Sequence, residues 1–307
     1  MKLALAGDTM LGRGVADELG RRPPESLVDE ALAEITRAAD LFVLNLECCI
    51  SERGEPLRGK IFTFRAPPAA VETLRHLGVD CVTVANNHVL DYGLNALRDT
   101  LAHLREGGIA CAGAGEDVEE ARSPAVVRGL PVVAFADHEP GFAASLDRPG
   151  IAFADLVEGG VPAWLRRCAP DALVCPHWGP NMEPSPVPHV RAAARELREV
   201  GAALVAGTSA HVFQGVEENV IYDLGDFLDD YARDPVLRND FGLLFLVELE
   251  PDGPRRIEAV PLKLEYAFTR LAYGDEADWI RERFRTACAE FGAEVLEEDR
   301  RLVIAAR

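Results

Sequence analysis

Residues 84–93 read VANNHVLDYG: an apolar run that stops on two asparagines and a histidine, followed three positions later by an aspartate. Positions 81–85 have the length and β-branched content of a buried strand, and 96–106 repeat apolar residues at helical spacing. The polar cluster therefore sits where a strand ends and a helix begins. A chain that halts a buried strand on such side chains is placing them at a sheet edge, and the rest of the sequence repeats the arrangement.

Candidate strands occupy 2–6, 41–46, 81–85, 109–112, 172–175 and 203–206, with helical patterns at 27–38, 69–77, 96–106, 188–200 and 276–291. Gly78, Gly107 and Gly201 follow three of these helices and predict C-terminal caps. The alternation predicts an α/β layered fold. The last third reads differently: 212–227, 243–250, 257–266 and 301–305 suggest β-hairpins, with a turn at Asp252-Gly253-Pro254. These segments are expected to build a second sheet packed on the first within a single domain, 1–307. Two excursions, 51–68 and the Gly- and Pro-rich 139–162, are long enough to cover a site.

Composition narrows the function. Of 307 residues, 48% are hydrophobic, enough for a large core. Lys and Arg number 32 against 51 Asp and Glu, a formal net charge of −19 that repels nucleic acid and anionic membranes. The expected partner is a small anionic substrate held by a local cation; no oligomeric state follows from the sequence. MKLALAGDTML is too short a run for a signal-peptide core or a spanning helix. The seven cysteines lack paired metal spacing and read as reduced and buried, so a cytoplasmic location is expected. Cys48 and Cys49 read as packing residues.

Most of the strands run out into polar residues: Gly7-Asp8, Asn45 and Glu47, Asn86-Asn87-His88, His177, and Ser209 with His211. In open α/β sheets these ends gather on one edge. Asp8, Glu47, Asn87, His177 and His211 then form a mixed oxygen and nitrogen set, suited to one or two divalent transition ions (manganese, iron or zinc). Two such ions about 3.5–4 Å apart can clamp an oxyanion and activate water. His88, oriented by Asp91 one helical turn on, would supply a proton as general acid. Each residue taken singly also reads as a turn or helix cap. Independent capping does not explain why three of the seven histidines, His88, His177 and His211, recur at strand ends.

The motifs GDTMLGR (7–13), NLE (45–47), KIFTFRAPP (60–68), VANNHVLDYG (84–93), HWG (177–179), GAALVAGTSAHVFQ (201–214) and LGDF (224–227) resemble the CapA family. These are poly-γ-glutamate capsule synthesis proteins, a branch of the calcineurin-like metallophosphoesterases. The resemblance covers roughly 1–230, leaving 231–307 to complete the sandwich. It implies a four-layer α/β/β/α fold with a dinuclear metal site whose ligands match Asp8, Glu47, Asn87, His177 and His211. His88 matches the histidine that assists the leaving group. Arg13, Lys60 and Arg65, with Asn45 of NLE, are expected to bind the substrate anion.

The chain departs from the family at GTSAHV, where the family usually reads GHHPHV. Thr208 and Ser209 replace histidines, which puts the second metal position at Ser209 in question, and Asp226 stands for the asparagine of LGNF. The expected function is a metal-dependent hydrolase acting on a small phosphoester. The alternatives are an enzyme forming, transferring or cleaving γ-glutamyl amides at the same site, and a non-catalytic anion-binding protein.

Overall fold

A computed structural model of the protein describes residues 1–305. Strand Lys2–Thr9 pairs in parallel with Leu41–Leu46, which continues through Cys81–Thr83 to Ala110–Ala112. Parallel pairing requires crossovers, and the intervening helices Glu30–Arg37, Ala70–His76 and Gly93–Glu106 supply them. All of Leu41–Leu46 is buried, as expected for a strand covered on both faces. Two of the expected caps hold, at Gly78 and Gly201, whose φ values are +75° and +91°. At the third, Gly107 stays right-handed and Gly108, at φ +75°, makes the left-handed turn.

Of the expected C-terminal hairpins, only the one within 212–227, Val216–Glu217 with Val220–Ile221, joins the second sheet; those after residue 240 do not. Phe241–Glu250 pairs antiparallel with Lys2–Leu5, then turns through Asp252-Gly253 into Gly253–Glu265, which pairs onward with Arg301–Ala305. With Asp226–Leu228, Phe268–Leu271 and Leu296–Glu298, these strands extend the first sheet to ten among the described residues. Periodicity finds such strands but not their neighbours, because register depends on partners more than 200 residues away.

The second sheet instead runs, in spatial order, Val216–Glu217, Val220–Ile221, Leu204–Ala206, Leu173–His177, Leu130–Ala136 and Ala125–Val127. Leu130–Ala136 went unpredicted, although LPVVAFA is an apolar run of strand length. Its side chains alternate. Val132, Ala134 and Ala136 join the core shared with the first sheet, whereas Val133 and Phe135 pack with Trp164, Leu165, Ala194 and Leu197 of helices Ala163–Cys168 and Pro188–Glu199. Leu173, Val174 and Cys175 alternate the same way. The architecture is thus an α/β sandwich of two mixed sheets flanked by helices.

Among the described residues, no helix is long and apolar enough to cross a membrane. All seven cysteines are free thiols, and burial pushes those of Cys111 and Cys175 up to about 12.

Candidate metal centre

The ends of the strands converge as the two sheets meet. Asp8 lies inside Lys2–Thr9, beside Asn45 on one flank and Asp226 of strand Asp226–Leu228 on the other. Glu47 follows Leu41–Leu46, His177 ends Leu173–His177, and the 207–211 loop follows Leu204–Ala206. Asp8, Glu47, His177 and His211 are all buried.

Glu47 Oε1 occupies the centre of one half. It lies 3.8 Å from both His177 Nε2 and His88 Nε2, is buried, and has no hydrogen-bond partner. Asn87 Oδ1 stands 3.0 Å from the same His177 Nε2. Two oxygen acceptors thus converge on one imidazole nitrogen, where an ion can replace the proton. Asp8, Glu47 and His177 offer ligand atoms that all lie within 4.8 Å of one another, as do Asp8, His211 and Asp226. The unpartnered Glu47 Oε1, His211 Nε2 and Asp226 Oδ2 are what a site built for a cation should present. The donors are oxygen and nitrogen throughout, so the residues fit a divalent transition ion.

The electrostatics agree. Burial pushes the Glu47 carboxyl well above the usual carboxylate range, and the adjacent Asp8 charge adds to this. Burial works on Asp8 too, but the hydrogen bond from His211 and the His177 and His211 charges outweigh it and hold Asp8 low. Burial also raises Asp223, Asp226 and Asp229, the last to about 6. His177 is pushed well below its ordinary value by burial, whereas at His211 the Asp226 charge and hydrogen bond overcome burial and raise it. This concentration of buried carboxylates is short of positive charge, which a cation would supply.

The opening stretch divides its labour. Asn86 is a turn residue: its Oδ1 accepts from the His88 and Val89 amides, and its Nδ2 donates to Asn45 Oδ1 and the Leu46 carbonyl. His88 Nδ1–H donates to Asp91 Oδ2 at 2.7 Å, leaving Nε2 directed toward Glu47. Asp91 also accepts from the Phe64 amide and from Lys60 Nζ, each at 2.7 Å. Burial lowers His88, and Asp91 offsets part of that.

The other expected substrate contacts are placed differently. Asn45 is buried, and its Nδ2 donates to Asp8 Oδ1 at 2.8 Å and Glu47 Oε2 at 3.3 Å, so it positions carboxylates beneath the site. Lys60 is committed to Asp91 and the Asn87 carbonyl, with Phe142 of the 139–162 excursion 5.1 Å from its Nζ. Arg65 points away, lying over Tyr92 and donating to the Arg53 and Gly54 carbonyls. Arg13 Nε faces Asp230 Oδ2 at 3.4 Å, and its guanidinium covers Phe62 and Phe64, the latter edge-on to His88 at 4.6 Å. Ser209 does not present its hydroxyl to a cation: Oγ donates to the Gly179 carbonyl at 2.9 Å, and its amide donates to Asp8 Oδ2.

Three features escaped the sequence reading. Asp226 registers beside Asp8, a pairing no local pattern encodes. Thr208 Oγ1 lies 2.8 Å from His177 Nδ1 and orients that ring. Asp137, just past Leu130–Ala136, lies 2.7 Å from His138 and 3.2 Å from His189, and His138 packs its ring 5.0 Å from His177. Reading LPVVAFA as a strand finds this group, because Asp137-His138 repeats the strand-then-polar pattern.

The family described as "Bacterial capsule synthesis protein PGA_cap" matches residues 2–231. A probable polyglutamine synthesis accessory protein of Mycobacterium tuberculosis (strain H37Rv) is 31% identical over 294 residues, covering 87% of this chain and 77% of that protein. The PGA biosynthesis protein CapA of Bacillus subtilis (strain 168) is 26% identical over 280 residues, covering 87% and 72%. The capsule biosynthesis protein CapA of Bacillus anthracis is 24% identical over 284 residues, covering 86% and 68%.

Proposed function

Because the chain belongs to this family of bacterial capsule synthesis proteins, we propose that it is a metal-dependent hydrolase of the metallophosphoesterase type, acting on a small anionic phosphoester. The observation that carries the reading is Glu47 Oε1, buried and unpartnered between the imidazoles of His177 and His88. Asp8, Glu47, Asn87, His177 and His211 would hold one or two divalent ions. An ion bound there polarises a phosphoryl oxygen and lowers the pKa of water.

The chain's own residues do the rest. Asn45 fixes Asp8 and Glu47, and Thr208 fixes His177, so the ligand atoms are held in place before a substrate arrives. His88 donates Nδ1–H to Asp91, so the proton for the departing alkoxide comes from Nε2 of the doubly protonated ring, a form the Asp91 carboxylate favours, acting as general acid. Lys60 and the Phe64 amide hold Asp91 in turn. The surface charge leaves nucleic acid a poor substrate.

The names of the relatives favour a second reading, chemistry on γ-glutamyl compounds. That reading needs cationic side chains free to take carboxylates. Lys60 and Arg13 face Asp91 and Asp230, and Arg65 faces carbonyls, so phosphoester chemistry ranks first.

The deciding assay is hydrolysis of a phosphomonoester and phosphodiester panel by protein reconstituted with Mn, Fe or Zn, alongside γ-glutamyl amides. Phosphate release that depends on metal and is lost in Glu47→Gln supports the proposal. Turnover of γ-glutamyl compounds alone would replace it with the second reading.

A further inference from the structure

Arg283, on helix Asp275–Ala289, lies outside the metal residues and outside the stretch 2–231 that matches the family. Its Cζ stands 5.4 Å from the ring centroid of Phe213 and 5.6 Å from that of Trp279. Such contacts engage the flat face of a guanidinium and leave its in-plane N–H donors unanswered. Nε and Nη2 of Arg283 are buried and, among the described residues, have no hydrogen-bond partner; burial lowers the pKa, and no carboxylate offsets it. These two nitrogens form the edge that grips a carboxylate through two parallel hydrogen bonds. Elsewhere in the protein that same edge holds one: Asp99 at Arg53, Glu116 at Arg98 and Asp240 at Arg238. In a chain with 51 acidic residues against 32 Lys and Arg, a guanidinium edge that none of them claims needs an explanation.

The same side chain lines a cavity of about 370 Å³ between the helix and Pro184-Ser185, within the range of small-molecule sites. Trp279, Arg283 and Thr286 reach it from one helix face, at i, i+4 and i+7. Trp279 and Pro184 give it apolar surface. Glu282 and Glu290 also line it, and they repel a dianionic phosphate more than a monoanion.

We propose that this cavity binds a small organic carboxylate, at a site separate from the metal centre, with Arg283 as its anchor. The guanidinium turns from the two rings toward the cavity, and its Nε–H and Nη2–H donate to the two carboxylate oxygens. The apolar body of the ligand lies against Trp279 and Pro184.

The competing account is an arginine that only packs on two rings. Benzoate is titrated into the full chain, and arginine Nε–H and tryptophan indole N–H resonances are followed in proton–nitrogen correlation spectra. Arg283→Lys and Trp279→Phe identify the two signals by their absence. Saturable shifts of both are expected at millimolar benzoate, and none with benzylamine, which has the same ring and the opposite charge. Arg283→Lys keeps the charge but loses the fork, so its Trp279 shift should require about tenfold more benzoate. Thr286→Phe fills the cavity without replacing the guanidinium and should abolish both shifts; it carries the test should Arg283→Lys fail to fold. An Arg283 signal that does not move overturns the site, as does benzoate affinity unchanged in Arg283→Lys or in Thr286→Phe, or a response to benzylamine equal to that to benzoate. Shifts with inorganic phosphate but not with benzoate overturn the carboxylate assignment.

Discussion

His88 and its neighbours separate chemistry from metal holding at the level of single side chains. His88 donates to Asp91 and offers no atom to either three-residue cluster, so His88→Ala should lower kcat by about 10²–10⁴-fold with bound metal unchanged. Equal loss of metal and activity would instead make His88 a ligand. Asp91 is fully buried with three donors on it, so Asp91→Asn should lower folding stability by about 3 kcal/mol in urea titrations. A different aspartate sets a pH dependence away from the centre. The Arg53 hydrogen bond holds Asp99 at about 2, against an ordinary 3.8, with Ser51 adding to it. A carboxyl depressed on folding stabilises above its unfolded pKa and loses that contribution as pH falls through its folded one. Melting temperatures of the parent and Asp99→Asn should therefore differ most above about pH 4, with the gap shrinking as pH falls from about 4 through about 2; a gap that stays the same size across that range would rule out the ion pair as its source. Residue identities at the strand ends were legible because chemistry-bearing types are rare in apolar surroundings. The roles of Asn45 and Thr208 were not, because a hydrogen-bond partner 37 or 31 positions away leaves no local trace.

At the scale of elements, the strand carrying Asp8 closes against the 224–226 turn with no room to spare. A Cβ on Gly7 would lie 1.9 Å from the Gly225 carbonyl oxygen, backbone against backbone. Gly7→Ala should destabilise the protein by at least about 2–3 kcal/mol and weaken metal binding together, since Asp8 moves with its strand. Retained affinity in a destabilised Gly7→Ala protein would show that the centre tolerates displacement of that strand. The alternation of strands and helices through residue 112 was legible because its period is local. Leu130–Ala136 is an apolar run of the same kind as Leu41–Leu46, and no physical feature separates it from the strands that were legible.

For the molecule as a whole, residues 2–231 match the family, yet they do not contain the complete first sheet. Phe241–Glu250 covers the open edge of Lys2–Leu5 and brings Leu243, Phe245 and Val247 into the core. A fragment ending at residue 231 should lack a cooperative urea transition and expose that edge to aggregation, as read by fluorescence and light scattering. Cooperative unfolding of the fragment would sink the idea. The sequence pattern pointed to β-hairpins here but assigned them to the wrong sheet, since the edge they seal is formed by the first residues of the chain.

Asp8 and Asp226 sit side by side although 226 − 8 = 218 positions separate them. At a synthesis rate of about 5–20 residues per second, that interval lasts on the order of ten to forty seconds. For most of it the emerging chain carries Asp8, Glu47, Asn87 and His88, and the strand with Asn45 on one flank of Asp8, but not the strand with Asp226 on the other. In the proposed centre the Asp8–His211–Asp226 group cannot assemble before residue 226 is made, so an ion held there would report that these two distant segments have met.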